Sequence, residues 1–262
     1  MKKITKIAAL LLSLVLSVGF FAGCSSESEE ELVIGITYFA PMNYKDGDKL
    51  VGFETEFATA VCEKLDMTPK FQVIDWGSKE KELNSNNIDC VWNGMTIDEE
   101  RKQNMLISIP YMQNKQVAVV LAENAEKYAN LDNLDGVTVV AEKESAGEAV
   151  ATKDATFANA SYTAVATQAT ALQEVKAKTA EIAIVDYVMS IGSIGEGTSY
   201  EDLVVIDKDF APEEYGIAFK KGNTELCDKV NKAIQELADD GKLEEIAKRY
   251  KLQDLLLVKP SK

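Results

Sequence analysis

Short apolar runs and apolar faces spaced four residues apart alternate along this chain, and the alternation occurs twice. Leu32-Val33-Ile34-Gly35-Ile36 reads as a buried strand. Phe53, Phe57, Val61 and Leu65 then fall on one face of a helix. Phe71 to Ile74 is a second strand, Ser78 to Asn84 a short helix closed by Asn86-Asn87, and Ile88 to Trp92 a third strand. The rhythm returns with a strand at Val137 to Ala141, a helix opening over Glu148 to Thr152, a helix from Thr170 to Ala180 and a strand at Ile182 to Val185. Leu226, Val230, Ile234 and Leu237 share a final helical face, followed by Leu243, Ile246 and Tyr250 after Gly241. Helices placed between strands require crossover connections, so parallel pairing in an α/β sheet is expected. Two such lobes leave a cleft between them, a common place for a ligand.

Composition narrows the chemistry. The 262 residues carry 28 Lys plus Arg against 43 Asp plus Glu, a net charge of −15. Phosphate backbones need clustered cations, so nucleic acid is an unsuitable partner, and an anionic membrane surface is equally unsuitable. Histidine is absent. That excludes Ser-His-Asp and Cys-His catalysis and His-ligated zinc or haem. No metal or cofactor is expected.

Residues 1–23 place Lys2, Lys3 and Lys6 before an apolar run from Ile7 to Phe21 and a small-residue exit, Ala22-Gly23. This is the pattern of a secretory signal. The same run also reads as an uncleaved anchor, or as an ordinary signal with an incidental cysteine. Residues 24–30 are polar and acidic and read as a solvated tether. Beyond Cys24 the cysteines are Cys62, Cys90 and Cys227, an odd number without zinc-site spacing. Buried free thiols and a single disulfide both stay open.

Polar residues gather where strands end. After the third strand comes Asn93-Gly94-Met95-Thr96-Ile97-Asp98-Glu99-Glu100-Arg101. Thr96 and Glu99 have capping-box spacing, which predicts a helix start, with Arg101 within reach of its mouth. An arginine there can grip a carboxylate with two parallel hydrogen bonds, or simply pair with Asp98 or Glu99 on the surface. Ser145 and Glu148 repeat the capping-box spacing after the strand 137–141. Asp186 ends the strand 182–185, where it suits an ammonium group or caps a helix from Tyr187. Tyr38, Phe39 and Trp76 can wall a side chain or cover a cation, or pack as ordinary loop aromatics.

Together these segments resemble a family. Leu32-Val33-Ile34-Gly35, Phe39-Ala40-Pro41-Met42, Leu50-Val51-Gly52-Phe53-Glu54, Asn93 to Ile97 with Glu100-Arg101, Ser108-Ile109-Pro110-Tyr111, Tyr215-Gly216-Ile217-Ala218 and Ala238-Asp239-Asp240-Gly241-Lys242 recur in order. Their order and spacing resemble the type II, Venus-flytrap solute-binding proteins that feed polar amino acids to ABC transporters. Gly23-Cys24 likewise resembles a lipobox, in which the signal is cleaved and Cys24 acylated with palmitate, although Phe21 stands where leucine is usual.

The resemblance implies a two-lobed α/β fold with discontinuous lobes, residues 31–114 plus 209–262 and residues 115–208, joined by hinge strands near 113–116 and 206–212. It implies that Arg101 clamps a ligand α-carboxylate, that Thr96 and Ser145 donate to it, and that Asp186 holds the α-ammonium with the Gly94 carbonyl. Phe39 and Trp76 would flank the side chain, with Asn93 beside them. The implied protein is a monomeric, extracytoplasmic receptor held by its lipid anchor and delivering an amino acid to a permease, not an enzyme. A cyclic-acid dehydratase on the same fold and a surface sensor or adhesion lipoprotein are the alternatives. The family often reads Gly-Thr-Thr where this chain has Glu144-Ser145-Ala146, and Asn93 and Met42 replace commoner residues. Asp75, Glu142 and Glu144 hint at a cationic side chain without distinguishing it from a neutral polar or sulfur-containing one.

Overall fold

A computed structural model describes residues 30–206, 208 and 210–261. The signal segment, Cys24 and residues 24–29 of the tether lie outside the described residues. No helix among the described residues is long and apolar enough to cross a membrane.

The strands are β1 (Glu30–Ile36), β2 (Tyr44–Asp46), β3 (Lys49–Val51), β4 (Met67–Val73), β5 (Cys90–Thr96), β6 (Met105–Ile107), β7 (Met112–Leu121), β8 (Thr138–Glu142), β9 (Ser161–Val165), β10 (Ile182–Asp186), β11 (Leu203–Ile206) and β12 (Pro212–Lys220). The helices are α1 (Phe53–Leu65), α2 (Lys79–Asn84), α3 (Glu99–Asn104), α4 (Ala146–Lys153), α5 (Gln168–Lys176), α6 (Tyr187–Ser193), α7 (Thr224–Asp239) and α8 (Lys242–Arg249). Among the described residues one mixed sheet runs β4-β1-β5-β12-β7-β10-β8-β9, with β6 on β12 and β11 on β7, and β2-β3 form a separate hairpin.

The expected parallel pairing holds for β1 with β4 and β5, and for β8 with β9 and β10. It does not hold at the centre. Strand β12 runs antiparallel to β5 and β7, and β7 antiparallel to β10 and β11. These pairings join the two halves. Met112 to Lys115 pair with β12, and Gln116 onward pairs with β10. One continuous strand therefore belongs to both halves.

Burial follows the pattern of the strands. Every residue of β5 and of β10 is buried, as a central strand covered on both faces requires. At the outer edge, β4 carries Pro69, whose missing N–H is tolerated only on such an edge. Phe53, Phe57 and Val61 pack inward from α1, whose ring Phe57 meets Trp92 edge-on at 4.9 Å and Tyr111 at 5.6 Å. Helices α7 and α8 cover α1 through Val230, Ile234, Leu237, Leu243 and Ile246. Cys62, Cys90 and Cys227 are free and buried, so among them no disulfide forms.

Element boundaries shift from the expected ones in consistent ways. Strand β5 starts two residues late, at Cys90, and continues through Thr96, because antiparallel pairing with Tyr215 and Gly216 carries it past the last aliphatic residue. The helix expected from Thr170 starts at Gln168 instead, where the Thr167 hydroxyl caps the N–H of Thr170.

Candidate functional site

The end of β5 forms one wall of a cleft. Gly94 lies at φ +54°, and a Cβ there would stand 2.4 Å from Cε1 of Phe39. Only glycine meets both demands. Its N–H donates to the Glu54 carboxylate at 2.8 and 3.1 Å. Glu54 is fully buried and also accepts from Asn43 at 2.9 Å and from the Tyr111 hydroxyl. Burial pushes its pKa up to about 7, against the pull of those donors. Asn93 bonds Thr37 three times, at 3.0, 2.6 and 3.0 Å, so its amide fastens β5 to the Thr37 loop.

Thr96 does not start a helix. It ends β5, and the cap of α3 is Asp98, whose carboxylate accepts from the Arg101 N–H at 2.7 Å. Apparent capping-box spacing from Thr96 fails because the strand consumes Thr96 first. The Thr96 hydroxyl donates instead to Glu213 at 3.1 Å, and its carbonyl accepts from Arg101 Nη1 at 2.6 Å. Arg101 thus sits three residues past the cap, with Nε 3.3 Å from Asp98. Its Nη2 donates across the cleft to the Glu144 carbonyl at 3.3 Å. Arg101 is only 7% exposed.

Residues from the other half face it. Ser145 caps α4, accepting from the Glu148 N–H at 3.1 Å while its hydroxyl donates to the Glu142 carbonyl at 2.7 Å. Glu144 occupies the left-handed region at φ +58°, a conformation that suits glycine. Its carbonyl also accepts from Lys79 at 3.4 Å. Asp186 stands at the cap position of α6 but caps nothing. Its carboxylate accepts from Gln116 at 2.9 Å, from Asn114 and from Gln168. Burial raises its pKa despite these donors.

All eight expected residues, Arg101, Asp186, Thr96, Gly94, Ser145, Phe39, Trp76 and Asn93, line one cavity of ≈ 390 Å³. Trp76 opens a 3₁₀ turn, with Lys79 Nζ 4.7 Å and Arg101 Cζ 5.9 Å from its ring centre. The lining also includes Thr37, Thr167 and Gln168, which sequence reasoning did not single out. Beneath it, Asn114 and Gln116 project from one face of β7 and reach both Asp186 and Glu213. Two amides at period-two spacing in the polar stretch 113–116, just ahead of the apolar run Val117 to Leu121, were the available signal.

A two-lobed, cleft-bearing α/β ligand-binding protein is the class that this sheet and this buried polar cavity define. The chain belongs to the bacterial extracellular solute-binding proteins, family 3, which match residues 32–253. It is 28% identical over 249 residues to the arginine-binding extracellular protein ArtP of Bacillus subtilis, covering 93% of this chain and 95% of that one. It superposes on Tv2483 bound to L-arginine with a TM-score of 0.80 at 26% identity, covering 87% of this chain and 93% of the other. An ABC uptake transporter substrate-binding protein from Streptococcus pneumoniae with bound histidine gives 0.79 at 29% identity, covering 87% and 94%.

Proposed function

We propose that this protein captures one free amino acid in the cleft and delivers it to an ABC importer. The observation that carries the reading is the pair of opposite charges on one small cavity: Arg101 from the β5 side and Asp186 from the β10 side, both buried. A zwitterion satisfies both. Its α-carboxylate replaces the Glu144 carbonyl as the partner of Arg101, with Ser145 and the Thr96 backbone beside it. Its α-ammonium takes Asp186, with Gly94 adjacent. Each charge then has a charge-assisted hydrogen bond that offsets its desolvation. Phe39 and Trp76 cover the side chain. A micromolar Kd asks for about −8 kcal/mol, within reach of two such pairs and one covered side chain. The named ligands of the relatives, arginine and histidine, support the class.

Residues 31–114 with 209–262 form one lobe on this reading and residues 115–208 the other, with β7 and β12 as the hinge. Ligand contact with both lobes favours the closed state. Cleavage before Cys24 and its acylation anchor a monomer to the outer face of the cell membrane. The ligand is bound and released unchanged.

A thermal-shift panel of the twenty amino acids, cystine, ornithine and cyclic acids, on protein refolded free of ligand, tests this. Binding raises Tm as RT ln(1 + [L]/Kd) grows. A shift with one or a few L-amino acids, and none with their des-amino analogues, is expected. Shifts confined to cyclic acids that are consumed on incubation would replace binding with turnover.

A further inference from the structure

One carboxyl in the cleft has no part in the zwitterion clamp. Glu142 ends β8, is 5% exposed and lines the same cavity as Arg101 and Asp186. Asp186, Asn93 and Ser145 all have hydrogen-bond partners within the protein. Among the described residues none bonds the Glu142 carboxylate, while Ser145 bonds its backbone carbonyl. A carboxylate buried without a donor is costly, and the cost is relieved by taking up a proton or by a donor from outside the protein.

The charges around it are unevenly committed. Arg101 is held by Asp98 and by the Thr96 and Glu144 carbonyls. Lys79 lies over the Trp76 ring and donates to the Trp76 and Glu144 carbonyls. Asp186 and Asp75 add negative charge on the same side. Once the clamp pairs Arg101 with a carboxylate and Asp186 with an ammonium, Glu142 is the acid left over.

We infer that Glu142 selects a ligand whose side chain ends in a cation, accepting a hydrogen bond from it inside the cleft while Phe39 and Trp76 cover its methylene stem. The inference rests on the amino-acid reading above. The groups facing Glu142 are Asp186 from β10, Lys79 from α2, Asp75 ahead of the Trp76 turn, and Arg101 from α3. Burial and Asp186 push its pKa up to about 8, so in the empty cleft it holds a proton at neutral pH. A cationic side chain displaces that proton to solvent; a neutral one of the same shape leaves it in place.

Titration calorimetry with matched ligands tests this. L-arginine is compared with L-citrulline, and L-lysine with L-norleucine, on the wild type and on Glu142→Gln. Wild type is expected to prefer one or both cationic members by roughly 30-fold or more, and the variant to reduce that ratio by at least about tenfold. Repeating the wild-type titrations at pH 7 in buffers of different ionisation enthalpy gives a second readout that needs no variant. The cationic ligand should release about one more proton than its neutral match. Equal affinity within each pair, equal proton release, or an equal loss for both members in the variant overturns the assignment of Glu142. If amino acids bind without charge preference, only this inference fails. If none of the twenty binds, the amino-acid reading fails with it.

Discussion

Asp186 and Glu213 share the same two donors. Gln116 Nε2 lies 2.9 Å from Asp186 Oδ1 and 3.0 Å from Glu213 Oε2, and Asn114 Nδ2 bridges the same two oxygens. The acids come from different halves of the sheet and the amides from β7, which crosses between them. Burial raises both pKa values, and the nearby Asp186 charge adds to the rise at Glu213. An ammonium bound at Asp186 offsets that charge. Asp186→Ala should therefore weaken amino-acid binding by at least about tenfold more than it weakens des-amino analogues, measured by calorimetry. Equal losses would remove the ammonium role.

Arg101→Ala should weaken ligand binding by about 2–5 kcal/mol, because it leaves a carboxylate buried without its partner. The same change strips hydrogen bonds from the Thr96 and Glu144 carbonyls, so Tm of the empty protein should fall as well. Arg101→Lys keeps the charge but not the fork, and should recover part of the stability and little of the affinity. Calorimetry paired with thermal melts separates the two effects.

Stability should fall as pH rises from about 4.5 to 8. Glu54 titrates near 4.5 when unfolded and about 7 when folded, so between these values the folded state holds the extra proton. Its contribution is complete below the unfolded value and is lost as pH passes the folded one. The size is on the order of 3 kcal/mol. Glu142, raised to about 8, acts in the same direction. Denaturant melts across this range should show the decline, and Glu54→Gln should flatten it. A rise in stability with pH over that window would contradict the assignment.

Gly94→Ala should cost about 1–3 kcal/mol, from the left-handed backbone and from the Cβ that meets Phe39. The displaced ring enters the cleft, so affinity should fall with stability. Chemical denaturation and ligand titration of one variant check both.

Phe57→Ala should cost about 3–5 kcal/mol and leave the ligand preference unchanged, since the ring lies under Trp92 and Tyr111 and away from the cleft. Denaturant unfolding gives the cost. A changed ligand preference would show that the β5 wall moved with the core.

Much of the cleft was legible because its residues follow recognisable boundaries. Ser145 with Glu148 marks the start of α4, and Asp186 follows the last aliphatic of β10. Thr96 misled for the same reason. Its spacing to Glu99 is that of a cap, but pairing with Tyr215, more than a hundred positions along the chain, extends β5 and moves the cap to Asp98. Glu54, Asn114, Gln116 and Glu213 were not readable as a group, because nothing local distinguishes a buried carboxyl near a helix start from an exposed one.

The amino-acid sequence by itself determined the alternation of strands and helices, the helical faces of α1 and α7, the acidic and histidine-free chemistry, and the polar residues that gather where strands end. These depend on local periodicity and on side-chain chemistry, which need no partner to be read. Tertiary structure alone decided that β7 and β12 run antiparallel through the middle of the sheet. It also decided that two amides bridge acids from opposite halves, and that Glu142 faces the cavity without a donor. Those outcomes depend on contacts between residues far apart in the chain, where register and burial set which polar groups meet and which are left for a ligand.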